Sequence, residues 1–201
     1  MPIYDHPCLI PVNDNLSIWR YLDFYKFKSL LETSSLFFCR ADKFSDPFEG
    51  SLPARVAENR INFFKHVDSI HGNEFDETSA RLNIEGLGDR HMKTKQATVI
   101  NCWHINDTES DAMWRLYLKD NEGVAIQSNI SRIKETISCV TESIGMSKVR
   151  YLNYENDIWY HEIDYPITTY NTLTPLVHKR IEFSQENEFR LLMNVDAVND
   201  D

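Results

Sequence analysis

Near the C-terminal end of the chain, S-Q-E-N-E-F-R-L-L-M, Ser184 to Met193, sets Glu186, Glu188 and Arg190 at alternate positions running into an apolar stretch. Side chains alternate along a strand, so these three charges share one face at a spacing of about 7 Å, with Asn187, Phe189 and Leu191 opposite. Two carboxylates beside a guanidinium suit one chemistry: an ionised carboxylate stabilises positive charge developing on a sugar, while the neighbouring cation restrains its pKa. The plain alternative is a solvated strand face on which Glu188 and Arg190 pair with cross-strand neighbours, each pair worth at most about 1 kcal/mol.

A second constellation is W-H-I-N-D-T-E-S-D-A-M-W-R-L-Y, Trp103 to Tyr117, where two tryptophans, a tyrosine, Ser110 and an arginine meet at a strand-to-helix junction. A helix N-terminus offers free N–H groups to an anion, so such a junction suits a phosphate joined to a flat ring. Met113, Trp114 and Tyr117 at helical spacing are also what a buried helix face requires, and Ser110 or Asp111 then serves only as an N-cap. In S-D-P-F-E-G, Asp46 and Glu49 can coordinate a cation, although a D-P turn whose carboxylate accepts backbone amides explains Asp46 without function. Seven histidines form no H-E-x-x-H and no Cys/His cluster, so no structural zinc is expected. The G-x-G-x-x-G, G-K-[ST] and G-x-S-x-G motifs are missing, which removes the Rossmann, nucleotide-hydrolase and nucleophile-elbow readings that depend on them.

These groups need elements to position them. W-R-Y-L, Trp19 to Leu22, reads as a strand; Asp23 then caps a helix with Phe24, Phe27 and Leu31 on one face. Strands are predicted over Leu36–Arg40, Ala97–Trp103, Val124–Ser128, Val149–Tyr154 and Phe189–Val195, with a loop at Lys43–Gly50 held by Phe44 and Phe48 and left through Gly50. Further helices are predicted from Pro53 to His71, with Val56, Phe63, Phe64, Val67 and Ile70 as its apolar positions, and from Ser110 to Leu118. Another carries Ile130, Ile133, Ile137 and Val140. Residues 72–88, polar and acidic with two glycines near the end, read as a mobile connection. Six strands and about four helices make a mixed α/β or α+β domain, and 201 residues at 42% hydrophobic composition suit one core and one domain, residues 1–201.

A formal net charge of -10 disfavours non-specific nucleic-acid binding and anionic membranes. The four cysteines, Cys8, Cys39, Cys102 and Cys139, are far apart in sequence with no C-x-x-C, the usage of a reduced cytoplasmic protein. No apolar run approaches the roughly 20 residues of a membrane span, and the N-terminus lacks the pattern of a signal peptide.

Taken together, W-R-Y-L, L-F-F-C-R-A-D-K-F-S-D-P-F-E-G, C-W-H-I-N-D-T-E-S-D-A-M-W-R-L-Y, E-G-V-A-I and H-K-R-I-E-F-S-Q-E-N-E-F-R-L resemble a bacterial domain-of-unknown-function family over Trp19 to Leu192. Ser45 stands where that family usually has Asn, and serine makes a similar turn hydrogen bond. The family layout is in turn similar to a divergent ADP-ribosyltransferase fold of bacterial toxins and phage-defence proteins, an analogy of folds. It implies a central, mostly antiparallel split sheet of about six strands with flanking helices, and NAD as the substrate, with no metal. It implies Glu188, Glu186 and Arg20 as catalytic groups: Glu188 for the oxocarbenium-like charge, Glu186 for the acceptor, and Arg20 for the pyrophosphate. Arg20, Tyr21, Trp103, Ser110, Trp114 and Tyr117 would hold the dinucleotide, with Ser110 and Tyr117 as candidates for the middle position of the site. An antitoxin or other partner protein is implied, and the acceptor stays open. Two other readings compete: a metal-dependent nuclease using Asp46, Glu49 and Glu186, and a non-catalytic protein-interaction module.

Overall fold

In the computed structural model the described residues are 3–6, 8–51, 53–118, 122–157 and 173–195. Nine strands and five α-helices are found among them: β1 (Ile3–Tyr4), β2 (Ser17–Asp23), α1 (Phe24–Thr33), β3 (Cys39–Arg40), α2 (Ala54–His71), α3 (Glu77–Gln96), β4 (Thr98–Ile105), α4 (Asp111–Tyr117), β5 (Gly123–Asn129), α5 (Ile130–Ile137), β6 (Ile144–Lys148), β7 (Arg150–Leu152), β8 (His178–Arg180) and β9 (Glu188–Asn194). The fold is α+β with one mostly antiparallel sheet in the order β1-β6-β9-β4-β2-β5, on which β3 also pairs with β4. Only the β1–β6 pairing in this sheet is parallel, and β7 and β8 form a separate parallel pair.

The sheet is forked beside β4. One edge of β4 pairs with β9 from Thr98 to His104. The other pairs with β2 at Ile18–Trp19 and with β3 at Cys39–Arg40, so Asn101, Cys102 and Trp103 have no ladder partner on that side. Across the fork, Arg20 Nη2 and Asn101 Nδ2 both donate to the Phe37 carbonyl, at 3.0 and 2.8 Å.

Register sorts the side chains into two faces. Ile18, Trp103, Ile105, Phe189 and Leu191 lie on one, covered by α5, whose Ile130, Ile133 and Ile137 are buried as their spacing requires. Val140, predicted on that stripe, falls beyond the helix end and is exposed. Asn129 caps α5 by accepting from Arg132 N at 2.8 Å. Asn129→Ala is therefore expected to lower stability by about 1 kcal/mol in a denaturant titration. The other face carries two apolar clusters, one around Ile100, Leu176, Val177 and Leu192, the other formed by Trp19, Tyr21 and Met113 of α4. Charged residues fill the space between them.

Several expectations are corrected. Residues 77–96 of the predicted connection and its continuation form α3, because Asp76 caps it by accepting from Thr78 N and Ser79 N, and because Ala80 and His91 are buried. Gly86 and Gly88 sit inside that helix with open space where a Cβ would be, so packing and capping outweigh their propensity cost. Helix α1 buries none of its residues: Phe24 and Leu31 are exposed. In α2, Val56 is buried, and the side chains of Phe63, Val67 and Ile70 lie outside what is described. Strand β6, I-G-M-S-K, has no alternation to read; a Cβ on Gly145 would come within 2.7 Å of the Tyr4 hydroxyl, so the Tyr4 ring of β1 uses the space the glycine leaves.

Candidate active site

The centre of the charged zone is Arg190, wholly buried on β9. Its Nε donates to Glu188 Oε2 at 2.8 Å, its Nη1 to the Leu176 carbonyl at 2.7 Å, and its Nη2 to Glu49 Oε1. Lys179 of β8 donates to Glu186 Oε2 at 2.7 Å and to Glu188 Oε1 at 2.8 Å, with Glu49 3.7 Å away. Glu186, Glu188 and Arg190 therefore do come together, but not along one strand. Glu186 ends a 3-10 turn, Ile181–Glu186, and Asn187 follows with a left-handed φ of 36°, after which β9 begins at Glu188. The small sheet delivers the remaining contacts, because Tyr151 pairs with Lys179 in register and its hydroxyl accepts from Glu188 N at 2.9 Å.

Three carboxyl groups face two cations here, so the cluster is neutral only with one proton retained. Burial, then the adjoining Glu188 carboxylate, raises Glu186 to about 7. Burial opposes charge on Glu188 as well, yet the Arg190 guanidinium and the Lys179 ammonium hold it far below the ordinary carboxylate range. The proton belongs to Glu186.

A cavity of about 450 Å³ opens onto this cluster. It is lined by Glu186, Glu188, Lys179 and Arg190, by the aromatic rings of Tyr21, Phe37, Phe44 and Tyr117, and by Arg20, Cys102 and His104. Tyr117 keeps part of its ring in solvent while burial, then the Glu188 and Glu186 charges, push its hydroxyl well above its ordinary value, so it is a neutral donor. Burial and the Glu188 charge push the Cys102 thiol up, which excludes a thiolate nucleophile near neutrality.

Arg20 enters from the opposite sheet face. It lies in register with Ile126, next to Trp19, which pairs with His104, so its side chain shares the face of Trp103 and reaches the cavity at the fork. Its guanidinium lies 5.8 Å from the Trp103 ring centroid, and no carboxylate pairs with it among the described residues. Trp103 also lines the cavity, 4% exposed, with Nε1 donating to Asn101 Oδ1 at 2.6 Å. Ser110 and Trp114 lie outside the cavity lining. Ser110 caps α4 and donates its backbone N–H to the Tyr21 hydroxyl at 2.7 Å, and Trp114 packs edge-on to Tyr21 with Nε1 donating to Glu109 at 2.9 Å. Their work is to hold Tyr21 in place.

The D-P-F-E-G loop supports the cluster from below. Asp46 accepts from Phe48 N at 3.0 Å, as a D-P turn requires, and also binds Arg180 Nη2 at 3.0 Å and Nε at 3.2 Å. Arg180 lies between the rings of Phe48 and Phe183, 4.8 and 5.1 Å from their centroids. Phe44 is half-buried beneath Arg190, and Gly50 leaves the loop with φ 72°. The carboxylates of the nuclease reading are each held by a cation, Asp46 by Arg180, Glu49 by Arg190 and Glu186 by Lys179, so a divalent ion must displace an existing partner from every one. No group of three His, Cys, Asp or Glu side chains disposed to hold a metal is found among the described residues.

Lys179 and His104 were given no role by sequence reasoning. Lys179 stands in H-K-R-I-E-F, within the stretch that carries the family resemblance, and a three-residue strand is too short to show a period. His104 stands in the quoted C-W-H, where its register opposite Glu188 is invisible without the sheet.

A sequence-family model described as a protein of unknown function (DUF2971) matches residues 113–191, which include Tyr117, Lys179, Glu186, Glu188 and Arg190. No curated protein and no solved structure was found to match the chain. No helix among the described residues is long and apolar enough to cross a membrane.

Proposed function

We propose that the protein is an NAD-cleaving ADP-ribosyltransferase-like enzyme, acting as an effector of a bacterial toxin or phage-defence system. The observation that carries the chemistry is the pair of carboxyls at one cavity wall, Glu188 held ionised and Glu186 raised to about 7, so that it exchanges its proton near neutrality. Two neighbouring carboxyls with pKa values driven apart are the arrangement used to cleave glycosidic bonds, one supplying fixed negative charge and the other a mobile hydrogen bond. Glu188 faces the positive charge that develops at the ribose C1′ as nicotinamide leaves. Glu186 hydrogen-bonds a ribose or acceptor hydroxyl, and Tyr117 offers a partly free ring and a neutral hydroxyl. Arg20, a half-buried guanidinium with no carboxylate beside it, is the place for the pyrophosphate. The effector role rests on the resemblance of the motifs.

Calorimetry with NAD and release of nicotinamide test this directly. Wild type is expected to bind NAD and release nicotinamide, and Arg20→Ala to weaken binding at least about tenfold without unfolding, about 1.4 kcal/mol. A folded wild-type protein that neither binds NAD nor releases nicotinamide ends this reading. It would favour the non-catalytic module, which has its own supporting observation in α1, a helix that exposes Phe24, Tyr25 and Leu31 and buries nothing.

A further inference from the structure

Two side chains lining the cavity leave a buried polar atom without a hydrogen bond among the described residues: Arg20 at Nη1, a donor, and His104 at Nε2. His104 is 8% exposed, sits on β4 directly opposite Glu188, and tilts against Tyr21 with ring centroids 6.4 Å apart. Its Nδ1 lies 2.7 Å from the Glu186 carbonyl oxygen. A carbonyl only accepts, so Nδ1 carries the proton, and in the neutral ring Nε2 is then a bare lone pair. A buried acceptor left unpaired is costly, and such groups persist where something else uses them. Glu186, the neighbouring carboxyl, retains the cluster's one proton and has Oε2 engaged by Lys179. The free lone pair beside the reacting centre is that of His104.

We propose that His104 is the base of the transfer step and that the acceptor attacks through a hydroxyl group, an assignment that rests on the cavity being the site of NAD cleavage. The bond between C1′ and the nicotinamide nitrogen breaks, and the ring nitrogen keeps the electron pair and leaves neutral. The acceptor oxygen forms the new bond to C1′, and its proton passes to Nε2, leaving an imidazolium. A carboxylate acceptor has no proton to give and would not need this group. An ammonium or guanidinium acceptor would arrive charged beside Lys179.

The test uses two substitutions with different geometry. His104→Asn keeps an amide N–H close to the position of Nδ1, so the Glu186 carbonyl stays satisfied, and removes Nε2. His104→Gln places an amide near Nε2 that accepts a hydrogen bond but takes no proton. With NAD, and with methanol and ethylamine as probe acceptors, wild type is expected to form the methyl glycoside in preference to the ethylamine adduct. Both variants are expected to bind NAD within about twofold of wild type and to lose about a hundredfold in product formation. Nitrogen-15 spectra of the free protein should show the Nδ1–H tautomer. An Nε2–H tautomer, a wild-type rate in His104→Asn, preference for ethylamine, or loss of NAD binding in step with activity each overturns the assignment. Failure of His104 alone leaves NAD binding by wild type intact; failure of the NAD reading removes that binding, and the assignment falls with it.

Discussion

Arg190→Ala is expected to cost the folded protein about 3–5 kcal/mol, the largest loss from any single substitution in the charged cluster, read as a fall in the urea midpoint. The guanidinium is fully buried and touches the Glu188 carboxylate, the Glu49 carboxylate and the Leu176 carbonyl. Its removal strands two buried carboxylates with Lys179 as their remaining cation, against a total stability of about 5–15 kcal/mol for a domain. A companion protein separates charge from packing. In Glu49→Leu with Arg190→Met, what remains is Glu188, Lys179 and a protonated Glu186, which is again neutral. This double variant is expected to be more stable than Arg190→Ala. A loss under about 1 kcal/mol for Arg190→Ala would mean that water reaches the cluster and that the charges are solvated. For the same reason Glu188→Gln is a poor probe of catalysis, since it removes a buried charge that two cations require.

Glu186→Gln is the better probe, because glutamine resembles the protonated carboxyl already present. It is expected to fold and to lower nicotinamide release by about a hundredfold. It should also change the dependence of stability on pH. Glu186 titrates near 4.5 when unfolded and about 7 when folded, so folding takes up a proton between those values. The stability this contributes is complete below 4.5 and is lost as pH rises through about 7. Glu188 has the opposite sign: its folded value is depressed, so its contribution is present above the ordinary value of 4.5 and is lost as pH falls through the folded one. Thermal midpoints of wild type are expected to be highest near pH 4.5 and to fall between there and about pH 7, and Glu186→Gln should flatten that fall. An unchanged fall in the variant would show that Glu186 is not its source.

What the sequence made legible was local. Ile130, Ile133 and Ile137 gave α5 by their spacing, and W-R-Y-L, A-T-V-I-N-C-W and F-R-L-L-M-N-V lie within β2, β4 and β9 or overrun them by a residue at one end. Composition hid the rest. Glycines in α3 and β6 obscured elements held by caps and by neighbours distant in sequence, and β1, β3 and β8 are two or three residues long. The site was half visible for the same reason. Glu186, Glu188 and Arg190 were gathered by their own spacing, whereas Glu49, Lys179 and His104 reach them through register and tertiary contact. Ser110 and Trp114 have the composition of a nucleotide site and are spent on capping and packing outside the cavity, which spacing does not distinguish.

The position of β9 bears on how the protein is made. It is the last of the described strands, yet it lies between β6 and β4 in the middle of the sheet. Synthesis runs from the N-terminus, so β4 and β6 emerge with their inner edges open and wait for this strand. Glu188 and Arg190 arrive on it, and with them the partners that neutralise Glu49 and Lys179. Core closure and assembly of the charged cluster are thus one event that waits for β9.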